Sequence, residues 1–220
     1  RVYYSSYIPL AFPLAFSVVI YHIRNKGLGG LIGSVLIFFA LTLLTFLFPV
    51  KSGFVLFTVS GFTILITAVA KGWFDTHKLA AYFMIFFTAV LTLLTVFLYI
   101  YSDIYRSARF EVLLSPASDP QGAGYLTIAT RNLLSSAKFF RPGDMPVQYA
   151  AHAFPLPGID TDYLLTYLIY HIGWIAFIII TALLLCFIIK GMVLCFRQKS
   201  FLGLLVSLAI MMTFTMQTVI

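Results

Sequence analysis

Two carboxylates, Asp160 and Asp162, stand just before an apolar and aromatic run, LLTYLIYHIGW, that extends from Leu164 to Trp174. A carboxylate so placed can take a proton from a hydroxyl that is about to attack. On a helix opening at Asp162, the residues four, eight and eleven positions on are Thr166, Tyr170 and Gly173, a polar stripe with His171 and Trp174 beside it. The plainer use of Asp160, Thr161 or Asp162 is to cap the helix, which contributes roughly 1 kcal/mol. One such group suffices for a cap. A second carboxylate at an apolar boundary costs desolvation unless it is paired, so Asp162 is the candidate for chemistry and Asp160 the candidate for capping or loop positioning.

Cations accompany these acids. Arg106, Arg109, Arg131, Lys138 and Arg141 share one segment with Asp103, Glu111, Asp119, Asp144, Asp160 and Asp162. Arginine and lysine bind phosphate through charge-assisted hydrogen bonds, and an arginine fork can do so bidentately. A lipid diphosphate emerging between helices would suit this set; pairing between the cations and the loop's own acids is the other reading. Metal and nucleotide signatures are missing: Cys186 and Cys195 are too far apart for a zinc pair, His22, His77, His152 and His171 form no i, i+4 pair, and Gly27, Gly29 and Gly30 lack the Lys-Ser/Thr ending of a phosphate loop. Nothing points to nucleic acid. The net charge of +7 suits anionic lipid headgroups.

The elements that hold these residues are written in the composition. With 61% hydrophobic and 10% charged residues and a mean hydropathy of +1.02, the chain is more apolar than any soluble core requires. A bilayer-spanning helix needs roughly 20 apolar residues. Six apolar runs of about that length lie near residues 7 to 23, 31 to 49, 53 to 70, 79 to 101, 163 to 189 and 201 to 220. The fold class expected is all-α, a polytopic transmembrane bundle forming one domain fragment over residues 1–220, with Gly27, Gly29 and Gly30 in a short connecting turn. The chain starts at Arg1 and its last run reaches Ile220 without a flanking anchor, so further segments are expected on both sides. Cys186, late in the fifth run, and Cys195, just past it, are expected as free thiols.

Lysines and arginines in short loops mark the cytoplasmic side. Arg24 and Lys26 follow the first run, Lys71 and Lys78 the third, and Lys190, Arg197 and Lys199 the fifth, whereas the opposite ends hold only Arg1 and Lys51. The long segment 102–161 is therefore expected outside, as an extracytoplasmic loop. Loops of this length commonly carry function or structure of their own, and residues 125–140 can form a short interfacial helix with Leu126, Ala129 and Leu133 on one face.

Leu156-Pro157-Gly158-Ile159-Asp160-Thr161-Asp162-Tyr163-Leu164-Leu165 resembles a pattern of the SEDS proteins, the RodA and FtsW type of cell-wall polymerases: Leu-Pro, a short spacer, then Thr-Asp-Phe-Ile-Phe opening a transmembrane helix. Upstream, Ser115-Pro116-Ala117-Ser118-Asp119-Pro120-Gln121-Gly122-Ala123-Gly124-Tyr125 is similar to the family's Asn-Pro-x-x-Asp-Pro-x-Gly-x-Gly-Tyr-Gln, and Val69 to Phe74 adds a third likeness. Three departures mark a divergent branch. Leu126 replaces the Gln, Asn132 to Ala137 replace a glycine-rich run, and Tyr170-His171 stand where a Glu-Glu pair is usual. Family members have ten spans, of which this chain would supply about the fourth to the ninth.

The resemblance implies a peptidoglycan glycosyltransferase of the bacterial cytoplasmic membrane. Such an enzyme polymerises lipid II at the outer face in elongation, division or sporulation and works with a class B penicillin-binding transpeptidase. By position, Asp162 matches the family's essential aspartate. The cations, with Thr166 and Tyr170, would bind the polyprenyl-diphosphate-linked substrate. A divalent ion could share the diphosphate, but no ligand set for one is legible. A lipid-linked precursor flippase, an O-antigen polymerase or ligase, and a non-catalytic scaffold stay open as alternatives. The topology is checked with single cysteines placed in a background lacking Cys186 and Cys195: an impermeant thiol reagent should label a cysteine at Ser136 in intact cells and leave one at Gly29 untouched, and the reverse pattern would invert the assignment.

Overall fold

In hydrocarbon a backbone N–H or C=O without a partner is costly, and a helix satisfies all but its ends from within. The computed structural model describes residues 8–47, 51–101, 111–112, 114–122, 124–140, 143 and 163–219, and among them every regular element is helical. In chain order these are α1 (Ile8–Ile23), α2 (Gly27–Leu47), α3 (Lys51–Ala70), α4 (Lys78–Tyr101), α5 (Tyr125–Ser135), α6 (Leu164–Ile172), α7 (Trp174–Phe196) and α8 (Phe201–Val219). Stretches long and apolar enough to cross a membrane are Leu10–Leu47, Ser52–Ala70, Lys78–Tyr99, Trp174–Phe196 and Phe201–Thr218. The first holds two helices, α1 and α2, which are joined by the 3-10 turn Arg24–Lys26 and pack on each other.

The chain divides into two compact units, Arg1–Thr95 with Phe187–Ile220, and Val96–Cys186. In the first, α1, α2 and α3 meet at Phe16, Phe38 and Phe57, all fully buried. Their ring centroids are 5.6 to 6.0 Å apart, within the range of favourable aromatic pairs. Leu205, Leu208 and Ala209 of α8 close the same core. Where lipid tails are as apolar as the side chains, packing of this kind and the close approach of small residues hold helices together. Gly61 is one such residue: a Cβ there would lie 2.5 Å from Cε2 of Phe38.

Hydroxyls in these helices return to their own backbone. Ser34 donates to the Gly30 carbonyl at 2.9 Å, Thr42 to Phe38 at 2.8 Å, Ser60 to Leu56 at 2.6 Å and Thr92 to Thr88 at 2.9 Å. With no water at hand, this is the nearest acceptor a serine or threonine can find. Ser17 shares its single proton between the Pro13 carbonyl, 2.8 Å away in α1, and the Leu205 carbonyl, 3.2 Å away in α8. The outward surface is apolar. On α4, Phe83, Phe86, Phe87, Leu93 and Leu98 are exposed, and α7 exposes Leu183, Phe187, Ile189 and Leu194. Such a surface suits lipid and would aggregate in water.

Three expectations change. Gly27, Gly29 and Gly30 lie in the first turn of α2 rather than in a connecting turn, because the 3-10 turn ahead of them already reverses the chain. Glycine is needed at position 30, where a Cβ would strike the Ile23 carbonyl oxygen. The fifth run, expected unbroken over 163 to 189, is two helices separated at Gly173, and the second runs on to Phe196. Cys186 and Cys195 therefore both lie inside α7; both are free thiols, as expected. Gly61→Ala should overpack against Phe38 and cost about 1 to 3 kcal/mol, read as a lower midpoint of thermal unfolding in detergent. Adding Phe38→Leu should recover part of the loss, and an unchanged midpoint for Gly61→Ala alone would show that the ring can yield.

Candidate functional site

The second unit is assembled from the Pro116 turn, α5 and α6. Pro116–Ser118 form a 3-10 turn, after which the Asp119 carboxylate accepts the Gly122 N–H at 3.0 Å and the Asp119 carbonyl accepts the Gly124 N–H at 3.0 Å. A Cβ on Gly124 would collide with the carbonyls of Pro116 and Asp119. The Asp-Pro-x-Gly-x-Gly-Tyr spacing is thus a folded knot that launches α5, and Asp119 is its organiser. The helix ends where Ser135 and Ser136 donate their hydroxyls to the Asn132 and Leu133 carbonyls, each at 2.8 Å.

α5 buries Ala129 and Leu133 against Tyr170 of α6, with Tyr125, Ala137 and Tyr163 around them. The short helix expected over 125–140 is therefore present over 125–135. Leu126, expected on its buried face, is exposed instead and lines a cavity. α6 buries Thr166, Ile169 and Tyr170 on one side. The stripe predicted from Asp162 is real at Thr166 and Tyr170, while His171 turns outward and stacks on Tyr167 at 5.8 Å. The capping position of α6 is held by Tyr163, with no side-chain capping bond. A helix opening at Asp162 is thereby corrected to one opening at Leu164.

The break at Gly173 gives the site its rigidity. Gly173 has φ +109° and ψ 170°, a conformation available to glycine and strained for other residues. It frees the first amides of α7, and Trp174 and Ile175 donate theirs to the Lys138 and Phe139 carbonyls, each at 3.1 Å. From the other side, Gly143 donates its N–H to the Tyr170 carbonyl at 3.0 Å, and a Cβ on Gly143 would run into the Tyr170 ring. Lys138 and Phe139 therefore fasten the start of α7, and Gly143 fastens the end of α6. Gly143 and Gly173 were not singled out as site residues from the sequence. Their shared signal is a lone glycine in a strained or close-packed setting, and that setting exists only in three dimensions.

A cavity of about 590 Å³ opens beside this corner, lined by residues that include Leu126, Thr130, Arg131, Leu134, Tyr163 and Trp174. Its walls are mainly apolar. Arg131 is exposed along it, and the Thr130 hydroxyl is buried with no hydrogen-bond partner among the described residues. Of the residues expected to bind substrate, Arg131 lines the cavity, Lys138 lends its carbonyl to α7, and Thr166 and Tyr170 sit in the buried face of α6. Asp162, Asp160, Arg106, Arg109 and Arg141 lie outside the described residues; Asp162 is the covalent neighbour of Tyr163 in the lining. Among the described residues no group of three His, Cys, Asp or Glu side chains could hold a metal ion.

Apolar helices of membrane-crossing length, joined to a folded segment with its own small core, define a multi-pass helical membrane protein. The chain belongs to the FtsW, RodA and SpoVE family of cell cycle proteins, whose family model matches residues 7–220. It is 27% identical over 174 residues to a protein named probable peptidoglycan glycosyltransferase FtsW from Pseudoalteromonas atlantica, a match covering 76% of this chain and 32% of that relative. The chain thus spans about a third of the length of that relative. No solved structure matches it. Gly173→Ala should weaken the corner by about 1 to 3 kcal/mol. Hydrogen exchange at the Trp174 and Ile175 amides should speed up while the Ser17 to Phe57 core stays protected; unchanged exchange at both amides would remove the corner's role.

Proposed function

We propose that this chain is the part of a peptidoglycan glycosyltransferase that carries its catalytic carboxylate, acting at the outer face of the bacterial cytoplasmic membrane. The observation that carries the reading is the corner of α5, α6 and α7, where Arg131, the unpaired Thr130 hydroxyl, Tyr163 and Trp174 share one cavity and Tyr163 is bonded directly to Asp162. The family membership and the name of the relative support the chemistry. In this reading residues 102–161 form the extracytoplasmic loop of a single membrane domain, and lipid II and a class B penicillin-binding transpeptidase are the substrate and partner.

The reaction joins an acceptor hydroxyl to the anomeric carbon of a sugar on a polyprenyl diphosphate. Asp162 accepts the hydroxyl proton as the new C–O bond forms, and the bond to the diphosphate oxygen breaks with its electron pair leaving on the lipid. Arg131 and Lys138, with Arg106, Arg109 and Arg141, balance the charge that gathers on the leaving diphosphate. Tyr170, packed on Ala129 and Leu133, holds α6 against α5, and Thr166 lies on the same buried side of α6. No ligand set for a divalent ion is present among the described residues, and no step is routed through one.

The decisive measurement is lipid II polymerisation by the intact protein with its transpeptidase. Asp162→Asn keeps the shape and cannot serve as a base, so it should reach the membrane, form the complex and lose about 10²- to 10⁴-fold in rate. Asp160→Asn should retain most activity. Wild-type polymerisation by Asp162→Asn would make that residue structural. The broken helix at Gly173 is the observation that favours a transporter, since interrupted helices often bound transport sites; translocation of lipid II without glycan strands would identify one.

A further inference from the structure

A second site is written into the opposite chemistry of the first unit, at the end where α1 gives way to α2, α3 to α4, and α8 begins. Arg24, in the turn between α1 and α2, places its guanidinium carbon 4.1 Å from the Tyr21 ring centroid and 5.1 Å from that of Phe201. Trp73, just after α3, meets the same Phe201 ring edge-on at 4.9 Å. The Nη1 atom of Arg24 and the Nε1 atom of Trp73 are both buried, and neither has a hydrogen-bond partner among the described residues. Two strong donors are therefore shielded from solvent, held against one aromatic ring and left without an acceptor. Native structures rarely leave buried donors unmet, and those that do commonly reserve them for something not yet bound.

The surroundings say what the missing acceptor is. Lys26, Lys71, Lys78, Arg197 and Lys199 are exposed at the same helix ends, and Asp75 is the only acid there in the sequence. The acceptor is therefore anionic. The aromatic faces of Tyr21 and Phe201 hold the guanidinium in place, and a guanidinium fork matches phosphate oxygens. Backbone geometry keeps Trp73 at this spot. Gly72, at φ +73°, ends α3 with its own N–H bonded to the Val69 carbonyl at 2.9 Å and that of Trp73 to the Ala68 carbonyl at 3.2 Å. The site lies at the ends of membrane-length helices, the level at which headgroups sit, and the charge asymmetry of the loops assigns this end to the cytoplasmic leaflet.

We propose that Arg24 and Trp73, brought together on the Phe201 ring, bind the phosphate of an anionic phospholipid headgroup at the cytoplasmic end of the first unit. This site is distinct from the cavity beside α5 and takes a structural lipid rather than a sugar donor. Its role is to complete the polar bonding of a helix end that the protein itself leaves incomplete.

Native mass spectrometry of the intact protein, titrated with dioleoylphosphatidylglycerol or dioleoylphosphatidylcholine, tests it. The wild-type protein should prefer phosphatidylglycerol. Arg24→Met should lower that affinity about tenfold, and Arg24→Lys, which keeps the charge and loses the fork, should restore only part of it. Trp73→Phe, which keeps a ring against Phe201 and removes the N–H, should lower it by about threefold or more. Lys199→Met, which removes an exposed cation and no buried donor, should change it by less than about twofold. Equal affinity for the two lipids would overturn the proposal, as would equal losses in Arg24→Met and Lys199→Met, the mark of diffuse attraction. Displacement by inorganic phosphate at concentrations comparable to the lipid would reassign the site to a free anion. Should Arg24→Met fail to fold, Arg24→Lys and Trp73→Phe decide the matter between them, and unchanged lipid preference in both would sink it.

Discussion

Two backbone bonds, from the Trp174 and Ile175 amides to the carbonyls of Lys138 and Phe139, govern the second unit. A helix that starts within an apolar run brings unpaired N–H groups with it, and the run supplies nothing to meet them. Here the acceptors arrive from residues about 35 positions earlier in the chain, held beside the break. The packing nearby goes with that arrangement. Gly173 must take a backbone conformation that other residues resist, Gly143 must leave room for the Tyr170 ring, and Tyr170 must turn inward to Ala129 and Leu133.

The first unit meets the same constraint by different means. Its helices have ordinary ends, closed by the glycine at position 72 and by Ser200, whose hydroxyl accepts the Gly203 N–H at 3.0 Å. Its interior is held by shape: three phenyl rings, one from each of three helices, with glycine and serine where backbones approach. Directional bonds between helices are few among the described residues. The hydroxyl of Ser17 supplies one, and most others are spent on their own helix.

The gross architecture was legible because apolar length is a strong signal. Five of the six runs became one helix each and the fifth became two, and the amphipathic spacing of Ala129 and Leu133 marked α5. The interruption of the fifth run was not legible, since Gly173 is a single small residue in a stretch whose hydropathy never falls. Whether a helix continues through a glycine depends on what waits for the freed amides, and that partner is remote in sequence. For the same reason the three glycines after Lys26 read as a turn, although the turn had already been made by Arg24 to Lys26. That Thr166 and Tyr170 share one side of α6 followed from helical spacing, whereas the cavity lining of Leu126, Thr130 and Trp174 depends on how α5 meets α6. The motif around Asp119 was visible as a pattern, but its physical meaning, a knot of carbonyl and carboxylate acceptors around two glycines, appears only with the bonds.

The contact between Ser17 and Leu205 joins residues 188 positions apart, and its core neighbours Leu205, Leu208 and Ala209 belong to α8. During synthesis α1, α2 and α3 enter the membrane long before the helix that completes their packing. Residues 96–186, the second unit, are all synthesised in the interval. The first unit is consequently begun before the second and completed after it, and a ribosome that stalls before residue 201 leaves α1, α2 and α3 without the helix that closes their core.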